Sequence, residues 1–560
     1  VTATFTRPTS SSARTRIRRY TGRAISRLLR LPPPTTEYTV ERGLRVPMRD
    51  GVELIADHYV PATPTPSGTL LVRGPYGRTY PFSSLFGAVY AARGYHVVIQ
   101  SVRGTFGSGG EFVPIVHEAE DGADTVAWLR EQTWFTGSFA TIGLSYLGWT
   151  QWALLQDPPP ELTAAVIVVG PHDFSASSWG TGSFSLNDFL GWADLVTHQE
   201  EPRGLQALIR QVRAQRLVKD AANGLPMGEA GRRLLGAGAP WYESWLEHPD
   251  PDDPFWTAFR AAEALDRVRI PVLLTSGWQD LFLDQTLAQY RHLRQRDVPV
   301  ALTVGPWPHS EMMTKGAPTV IRESLDWLGT HLAGSHSTSR SPVRIHVNGR
   351  GWTDLPDWPP SMPEETLYLR PGGSLGDTPP EETARPSRFT YDPADPTPTV
   401  GGRLLSREAG YRDDSALSRR ADVLGFTGGA LATDLYVAGS PVIELAHSCD
   451  NPFNDLFVRI SEVDAKGRSR NVTDGFLRLT TDSGLVRIEL DAVAHRFPAG
   501  SRIRVLVAGG SHPRFARNLG TDEPPVTGRR LVPATHTVHH GDGGLSRLLL
   551  PAGPRPPSAD

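Results

Sequence analysis

Ser145, Asp280 and His309 are the residues whose types and spacing could do chemistry in this chain. Ser145 sits in Phe139-Ala140-Thr141-Ile142-Gly143-Leu144-Ser145-Tyr146-Leu147-Gly148, between an apolar run and a helical one. Gly143 and Gly148 supply the small residues that a sharp strand-to-helix turn needs if it is to expose a serine at its apex. Leu147 stands where the second glycine of G-x-S-x-G is usual, so this pattern taken alone also fits an ordinary strand-to-helix junction. A hydroxyl is a poor nucleophile at neutral pH and needs a base to take its proton and an acid to orient that base. The apolar run Ile270 to Thr275 leads into Ser276-Gly277-Trp278-Gln279-Asp280, which puts a carboxylate just past a strand end. Val300 to Val304 leads in the same way into Gly305-Pro306-Trp307-Pro308-His309. Asp280 is therefore the expected acid and His309 the expected general base. Asp284 competes for the first role, but it precedes the helical run Gln285 to Arg294 and reads better as that helix's N-cap. A histidine base works only when neutral, so activity should fall on acidification.

Attack on a carbonyl creates an oxyanion that needs hydrogen-bond donors. The backbone N–H of Tyr146 is one expected donor. The second should come from the loop after an early strand, here Arg73-Gly74-Pro75-Tyr76-Gly77-Arg78, where the Tyr76 phenol could donate. On chemistry alone a structural tyrosine fits that position equally well. The glycine-rich stretch Arg103 to Phe112 lacks the lysine and spacing of a P-loop and reads as a structural loop.

These residues need a frame. Tyr38 to Met48 and Val52 to Val60, joined through Asp50-Gly51, read as a hairpin. Apolar strands then alternate with helices: Gly68 to Val72, Tyr95 to Gln100, a helix from about Glu118 to Glu131 with Ala119, Ala123, Val126, Ala127 and Trp128 on one face, and Leu162 to Val169. Strands apolar on both faces and separated by helices imply a mostly parallel sheet covered on both sides, with its chemistry beyond the carboxyl ends of the strands. The expected fold is α/β, with the serine, acid, histidine order of α/β-hydrolases. Residues 36–170 and 263–360 form the two parts of that domain, interrupted at 171–262 by an inserted helical cap. Past Pro342 proline and glycine thicken and short alternating segments follow, including the hairpin Leu456 to Val463 with Asn471 to Leu479. Residues 361–560 are expected to form a jelly-roll β-sandwich.

With 39% hydrophobic and 21% charged residues over 560 positions, the chain reads as a multidomain globular protein. Its single cysteine, Cys449, excludes an internal disulfide and a cysteine metal site, and points to a reducing compartment, the cytoplasm. No stretch approaches the roughly 20 apolar residues of a membrane span. Residues 1–34 carry eight arginines and no acid, so a net charge of −3 leaves eleven net negative charges on the rest. That acidic body excludes nucleic acid as the main partner. The arginine-rich segment, residues 1–35, reads as a disordered extension, with a short basic amphipathic helix as the alternative. No metal or organic cofactor is implied, and the oligomeric state, homo-oligomer included, is open.

A resemblance sharpens this reading. Val46-Pro47-Met48-Arg49-Asp50-Gly51-Val52, Arg73-Gly74-Pro75-Tyr76, Arg103-Gly104 with Ser108-Gly109-Gly110-Glu111-Phe112, Gly143-Leu144-Ser145-Tyr146-Leu147-Gly148, Gly277-Trp278-Gln279-Asp280 and Gly305-Pro306-Trp307-Pro308-His309-Ser310 together resemble the CocE/NonD hydrolases. These include cocaine esterase and are related to X-prolyl dipeptidyl aminopeptidases and α-amino acid ester hydrolases. The resemblance runs from about Tyr38 to the end. It implies Ser145 as nucleophile, Asp280 as acid, His309 as base and Tyr76 as oxyanion donor. It also explains Leu147, because the family pattern is G-x-S-Y-x-G, and it implies the same three-part architecture. By local context, Trp179, Trp192 and Phe282 match positions that line the acyl pocket of the esterase branch; plain core aromatics are the alternative. The implied activity is cleavage of small-molecule carboxylic esters, or amides, through an acyl-enzyme. The rivals are a peptidase or amino-ester hydrolase, for which Asp194, Glu200 and Glu201 could hold a substrate ammonium, and an inert binding protein that uses the jelly roll.

Overall fold

The Asp50-Gly51 turn joins β1 (Tyr38–Pro47) and β2 (Glu53–Pro61) into an antiparallel hairpin at the edge of a ten-stranded sheet. The computed structural model describes residues 23, 25–201, 205–335 and 340–557. Inside the sheet lie β3 (Thr69–Gly74), β4 (His96–Ser101), β5 (Phe139–Leu144), β6 (Leu162–Val168), β7 (Val272–Gln279) and β8 (Val300–Pro308), followed by β9 (Val343–Val347) and β10 (Gly351–Leu355). The order is β1-β2-β4-β3-β5-β6-β7-β8-β9-β10, and every pair from β4 to β9 is parallel. Every residue of β3, β4, β5 and β7 is buried. This is why these strands read as continuous apolar runs: helices cover both faces, and two apolar cores result.

Helix Glu118–Arg130 forms where expected and buries part of the expected face, with Val126 buried and Ala119 and Trp128 packed against the core. Glu118, Asp121, Gly122, Thr125, Val126 and Leu129 are buried, whereas Ala123 and Ala127 are exposed. The cause is electrostatic. Buried Arg73 reaches the helix, with Nη1 donating to the Glu118 carbonyl at 2.8 Å and Nη2 lying 3.1 Å from the Glu118 carboxylate. Gly122 leaves room for it, since a Cβ there would lie 2.9 Å from Arg73 Nη1.

Between β6 and β7 run helices Phe174–Trp179, Leu186–His198, Leu205–Ala222, Met227–Leu235 and Pro240–Glu247. An aromatic cluster binds several of them: Phe174 lies 4.8 Å from Phe189 and 4.7 Å from Trp245, and Trp241 lies 4.6 Å from Trp245, centroid to centroid. Among the described residues no helix is long and apolar enough to cross a membrane.

The chain's last part is β-rich, with thirteen strands from β11 (Glu364–Arg370) to β23 (Arg547–Gly553) and an apolar core of its own. It includes the expected hairpin of β17 (Asn454–Val463) and β18 (Ser469–Leu479). Of the arginine-rich segment, residues 1–22 and 24 lie outside the described residues. Its end departs from the expected disordered extension, because Leu31 is buried and Ile25 and Leu29 pack against the core beneath the sheet.

Candidate functional site

Ser145 leaves β5 with φ 57° and ψ −122°, the strained backbone of a sharp turn, and helix Tyr146–Leu154 starts at the next residue. Small neighbours make this turn sterically feasible. A Cβ on Gly143 would fall 2.4 Å from Leu147 Cβ, and one on Gly148 would fall 2.5 Å from Gly170 Cα. Leu147 is accommodated by a glycine elsewhere, because its side chain occupies the space where a Cβ of Gly74 would stand.

The loops after β7 and β8 bring two groups to this turn. His309 Nε2 lies 3.0 Å from Ser145 Oγ, and His309 Nδ1 lies 2.6 Å from Asp280 Oδ1. Asp280 is fully buried, and its other oxygen accepts from the Phe282 N–H at 3.0 Å and the Ser276 hydroxyl at 3.1 Å. Those bonds fix the carboxylate, which in turn fixes the Nδ1–H tautomer and leaves Nε2 free to accept from the serine. The Phe282 ring stands edge-on to the imidazole, 5.4 Å away.

Asp284 is not a helix cap. Helix Leu283–Gln295 begins before it, and its carboxylate takes both Nη atoms of Arg403, at 2.8 and 2.6 Å. The charge and hydrogen bonds of Arg403 hold its pKa below the usual carboxylate range, although most of the Asp284 side chain stays exposed.

Tyr76 lines the same cavity next to Ser145, whose side chain is one of its hydrogen-bond partners, and its hydroxyl accepts from Trp192 Nε1–H at 2.9 Å. Burial pushes the phenol up to about 12, so it holds its proton and can donate. Tyr146 N is the first helical N–H, which has no intrahelical acceptor. The Tyr146 hydroxyl is engaged elsewhere, donating to Glu118 Oε1 at 2.8 Å and accepting from Ile115 N at 2.7 Å. The tyrosine thereby ties the turn to the buried Arg73–Glu118 pair, a link the sequence did not announce.

A cavity of about 40 Å³ adjoins Ser145 and His309, with Phe174, Phe189, Trp192, Phe282 and Leu405 among its walls. Two larger clefts, about 280 and 360 Å³, contain neither Ser145 nor His309. Of the three expected pocket aromatics, Trp192 and Phe282 line the cavity. Trp179 is not among its walls; it is buried against Phe184 and donates its indole N–H to the Trp245 carbonyl at 2.8 Å. The three acids considered for an ammonium do not line it either. Glu200 accepts from the Phe106 N–H at 2.9 Å, and Asp194 and Glu201 lie beside His198. The carboxylate that does line it is Asp188, one of several acids near helix starts in the sequence, with nothing there to single it out.

A serine, imidazole and carboxylate in line at the carboxyl ends of parallel strands define the class: a serine hydrolase. Comparison with known proteins supplies the family. The model for X-Pro dipeptidyl-peptidase (S15 family) matches residues 50–311, and that for the X-Pro dipeptidyl-peptidase C-terminal non-catalytic domain matches residues 335–549. Cocaine esterase from Rhodococcus sp. (strain MB1 Bresler) is 30% identical over 571 residues, covering 92% of this chain and 98% of that protein. Among solved structures, an α-amino acid ester hydrolase superposes with a TM-score of 0.78 at 23% identity, over 93% of this chain and 98% of that one. An aminopeptidase from the marine sediment archaeon Thaumarchaeota archaeon gives 0.77 at 23% identity, over 93% and 97%. The chain belongs to the S15 family of serine hydrolases, alongside cocaine esterase and the CocE/NonD enzymes.

Proposed function

We propose that this protein hydrolyses carboxylic esters of small molecules through an acyl-enzyme on Ser145. His309 takes the Ser145 proton as the oxygen attacks the carbonyl, then gives it to the leaving alkoxide. Asp280 orients the imidazole and stabilises its charged form. The Tyr146 N–H and the Tyr76 hydroxyl donate to the oxyanion. Water, activated by the same histidine, releases the acid and restores the serine. The single observation that carries this reading is the unbroken chain Ser145 Oγ, His309, Asp280, with contacts of 3.0 and 2.6 Å.

The apolar wall of the cavity favours an ester with an apolar acyl group over a substrate held at several charged points. In this reading the helices of 171–262 act as a cap over the site, residues 36–170 and 263–360 form the α/β-hydrolase domain, and residues 361–560 form a jelly roll. A fluorophosphonate probe should label the wild type and fail to label Ser145→Ala, and the variant should lose turnover of a phenyl ester while keeping its thermal unfolding profile. Turnover retained in a well-folded Ser145→Ala would end the proposal. A free-amine prolyl amide, assayed beside the ester, separates esterase from peptidase.

A further inference from the structure

Arg73 and Glu118 are each only 3% exposed, and no step of the proposed reaction uses them. Taking both charges out of water costs about as much as their attraction returns, so apolar side chains would serve stability equally well. What a hydrogen-bonded pair offers instead is direction. Glu118 heads helix Glu118–Arg130 and holds two other elements at once. On one side is Arg73, the last residue but one of β3, with Nη1 on the Glu118 carbonyl and Nη2 beside its carboxylate. On the other is Tyr146, the first residue of the helix after Ser145, whose phenol donates to Glu118 Oε1 at 2.8 Å. Burial and the Glu118 charge push that phenol well above its ordinary pKa, so it keeps the proton it donates.

Both arms are fixed further. The Tyr146 phenol oxygen accepts from the N–H of Ile115, whose φ of 81° is a left-handed conformation that a β-branched residue rarely adopts. Such strain persists only where the surroundings impose it. Arg73 donates from Nε to Gln100 Oε1 at 2.8 Å, and its carbonyl accepts from the Thr150 hydroxyl at 3.2 Å. The two arms lead to the two donors assigned to the oxyanion. Tyr146 carries one on its own backbone; Arg73 is followed by Gly74, Pro75 with its fixed φ, and Tyr76, which carries the other. The turn at Ser145 is itself strained, with φ 57°, so the N–H that follows it keeps its aim only while neighbouring contacts hold it.

We propose that Glu118 is a positioning residue: by gripping Arg73 and the Tyr146 phenol together, it sets the Tyr76 hydroxyl and the Tyr146 N–H at the spacing that lets both meet one oxyanion. Donors already aimed before the charge develops need no reorganisation during the reaction, which is where their effect on rate comes from.

This inference rests on the proposed acyl-enzyme at Ser145, and the two fail separately. Fluorophosphonate labelling carried to completion counts reactive serines; an unlabelled wild type removes the reaction and the inference with it. In labelled enzyme the variants are Tyr146→Phe, which keeps the ring and the backbone N–H, Glu118→Gln, which keeps the shape but not the charge that holds Arg73, and the two combined. Losing one oxyanion donor outright costs about 10²–10³ in kcat, so misaimed donors should cost about ten- to a hundredfold. Each single variant is expected to lower kcat on a phenyl ester by about tenfold or more, with KM within about twofold of wild type. Each should weaken a trifluoromethyl ketone, whose tetrahedral adduct carries the oxyanion, by the same factor. The double variant should be within about threefold of the poorer single, since both substitutions cut one chain of contacts. A merely structural role would lower Tm and the labelled fraction and leave kcat per labelled site unchanged. That outcome in either single variant refutes the inference, and so does a double variant whose loss is the product of the two singles. If Tyr146→Phe fails to fold, kcat and ketone affinity in Glu118→Gln decide.

Discussion

Replacing Tyr76 by phenylalanine removes one oxygen and keeps the ring, so it isolates what the phenol does. The Tyr76 ring is stacked 5.6 Å from Phe82 at 15°, and Phe preserves that contact. What disappears is the acceptor for Trp192 Nε1–H and, on the proposed mechanism, one donor to the oxyanion. Loss of an oxyanion donor costs about 10²–10³ in kcat, or about 3–4 kcal/mol of transition-state stabilisation. The orphaned indole N–H costs up to about 3 kcal/mol of folding stability if sealed from water, but Trp192 is only half-buried, which brings that cost to about 1 kcal/mol. Catalysis should therefore lose more than stability does. The assay is kcat and KM on a phenyl ester, with fluorophosphonate labelling to count sites and thermal unfolding in parallel. The expected result is a kcat at least a hundredfold lower with KM nearly unchanged, because the donor serves the transition state and not the bound ester. A kcat within threefold of wild type, or a loss confined to KM, would refute the reasoning and return Tyr76 to a packing role.

Arg403→Met should destabilise the fold by about 3 kcal/mol, the low end for breaking a buried pair, because Asp284 stays largely in water. The loss should be greater at pH 8 than at pH 5: burial raises the Asp491 pKa to about 6, so its ionisation weighs against the fold as pH rises from about 4 through 6, and more so without Arg403. Equal shifts in Tm at the two pH values would contradict this. Acid should weaken the wild type, because burial lowers His96, His172 and His447 to about 4 and His512 and His536 to about 3. Unfolding then takes up protons, so stability is full above about 6.5 and is lost as pH falls toward 4 and below; a urea midpoint that stays flat from pH 7 to 4.5 would count against it.

Local patterns revealed what local geometry sets. The turn at Ser145 announces itself through Gly143 and Gly148, and the ends of β7 and β8 announce Asp280 and His309, because each depends on a strand and the few residues after it. Features set by contacts between distant segments left no such mark. The buried face of helix Glu118–Arg130 depends on Arg73, some 45 positions away. Asp284 occupies a helix start in the sequence, but its partner Arg403 lies 119 residues further on. Trp179 and Trp192 look alike in their local contexts, and only the packing of helix Phe174–Trp179 on Pro240–Glu247 turns the first toward Trp245 and leaves the second beside Tyr76. Asp188 was hidden for the same reason, since its partner Leu405 lies 217 residues away.

These long-range contacts converge on residues 403–405, between β13 (Ser387–Tyr391) and β14 (Val423–Thr427) of the β-rich part. Leu405 lines the cavity and donates its N–H to Asp188, while two residues earlier Arg403 grips Asp284, four residues past Asp280. Arg403 is held in turn by Asp491, next to β19 (Ser483–Glu489), which places it between the loop after β7 and the second sheet. The β-rich part therefore supplies a wall of the cavity and a clamp on the segment that carries the carboxylate, although it supplies none of Ser145, Asp280 or His309. Movement of this loop would displace Asp188 and relax the segment 280–284 together. A wall of the cavity and the segment that carries Asp280 thus share one physical support, far in sequence from Ser145.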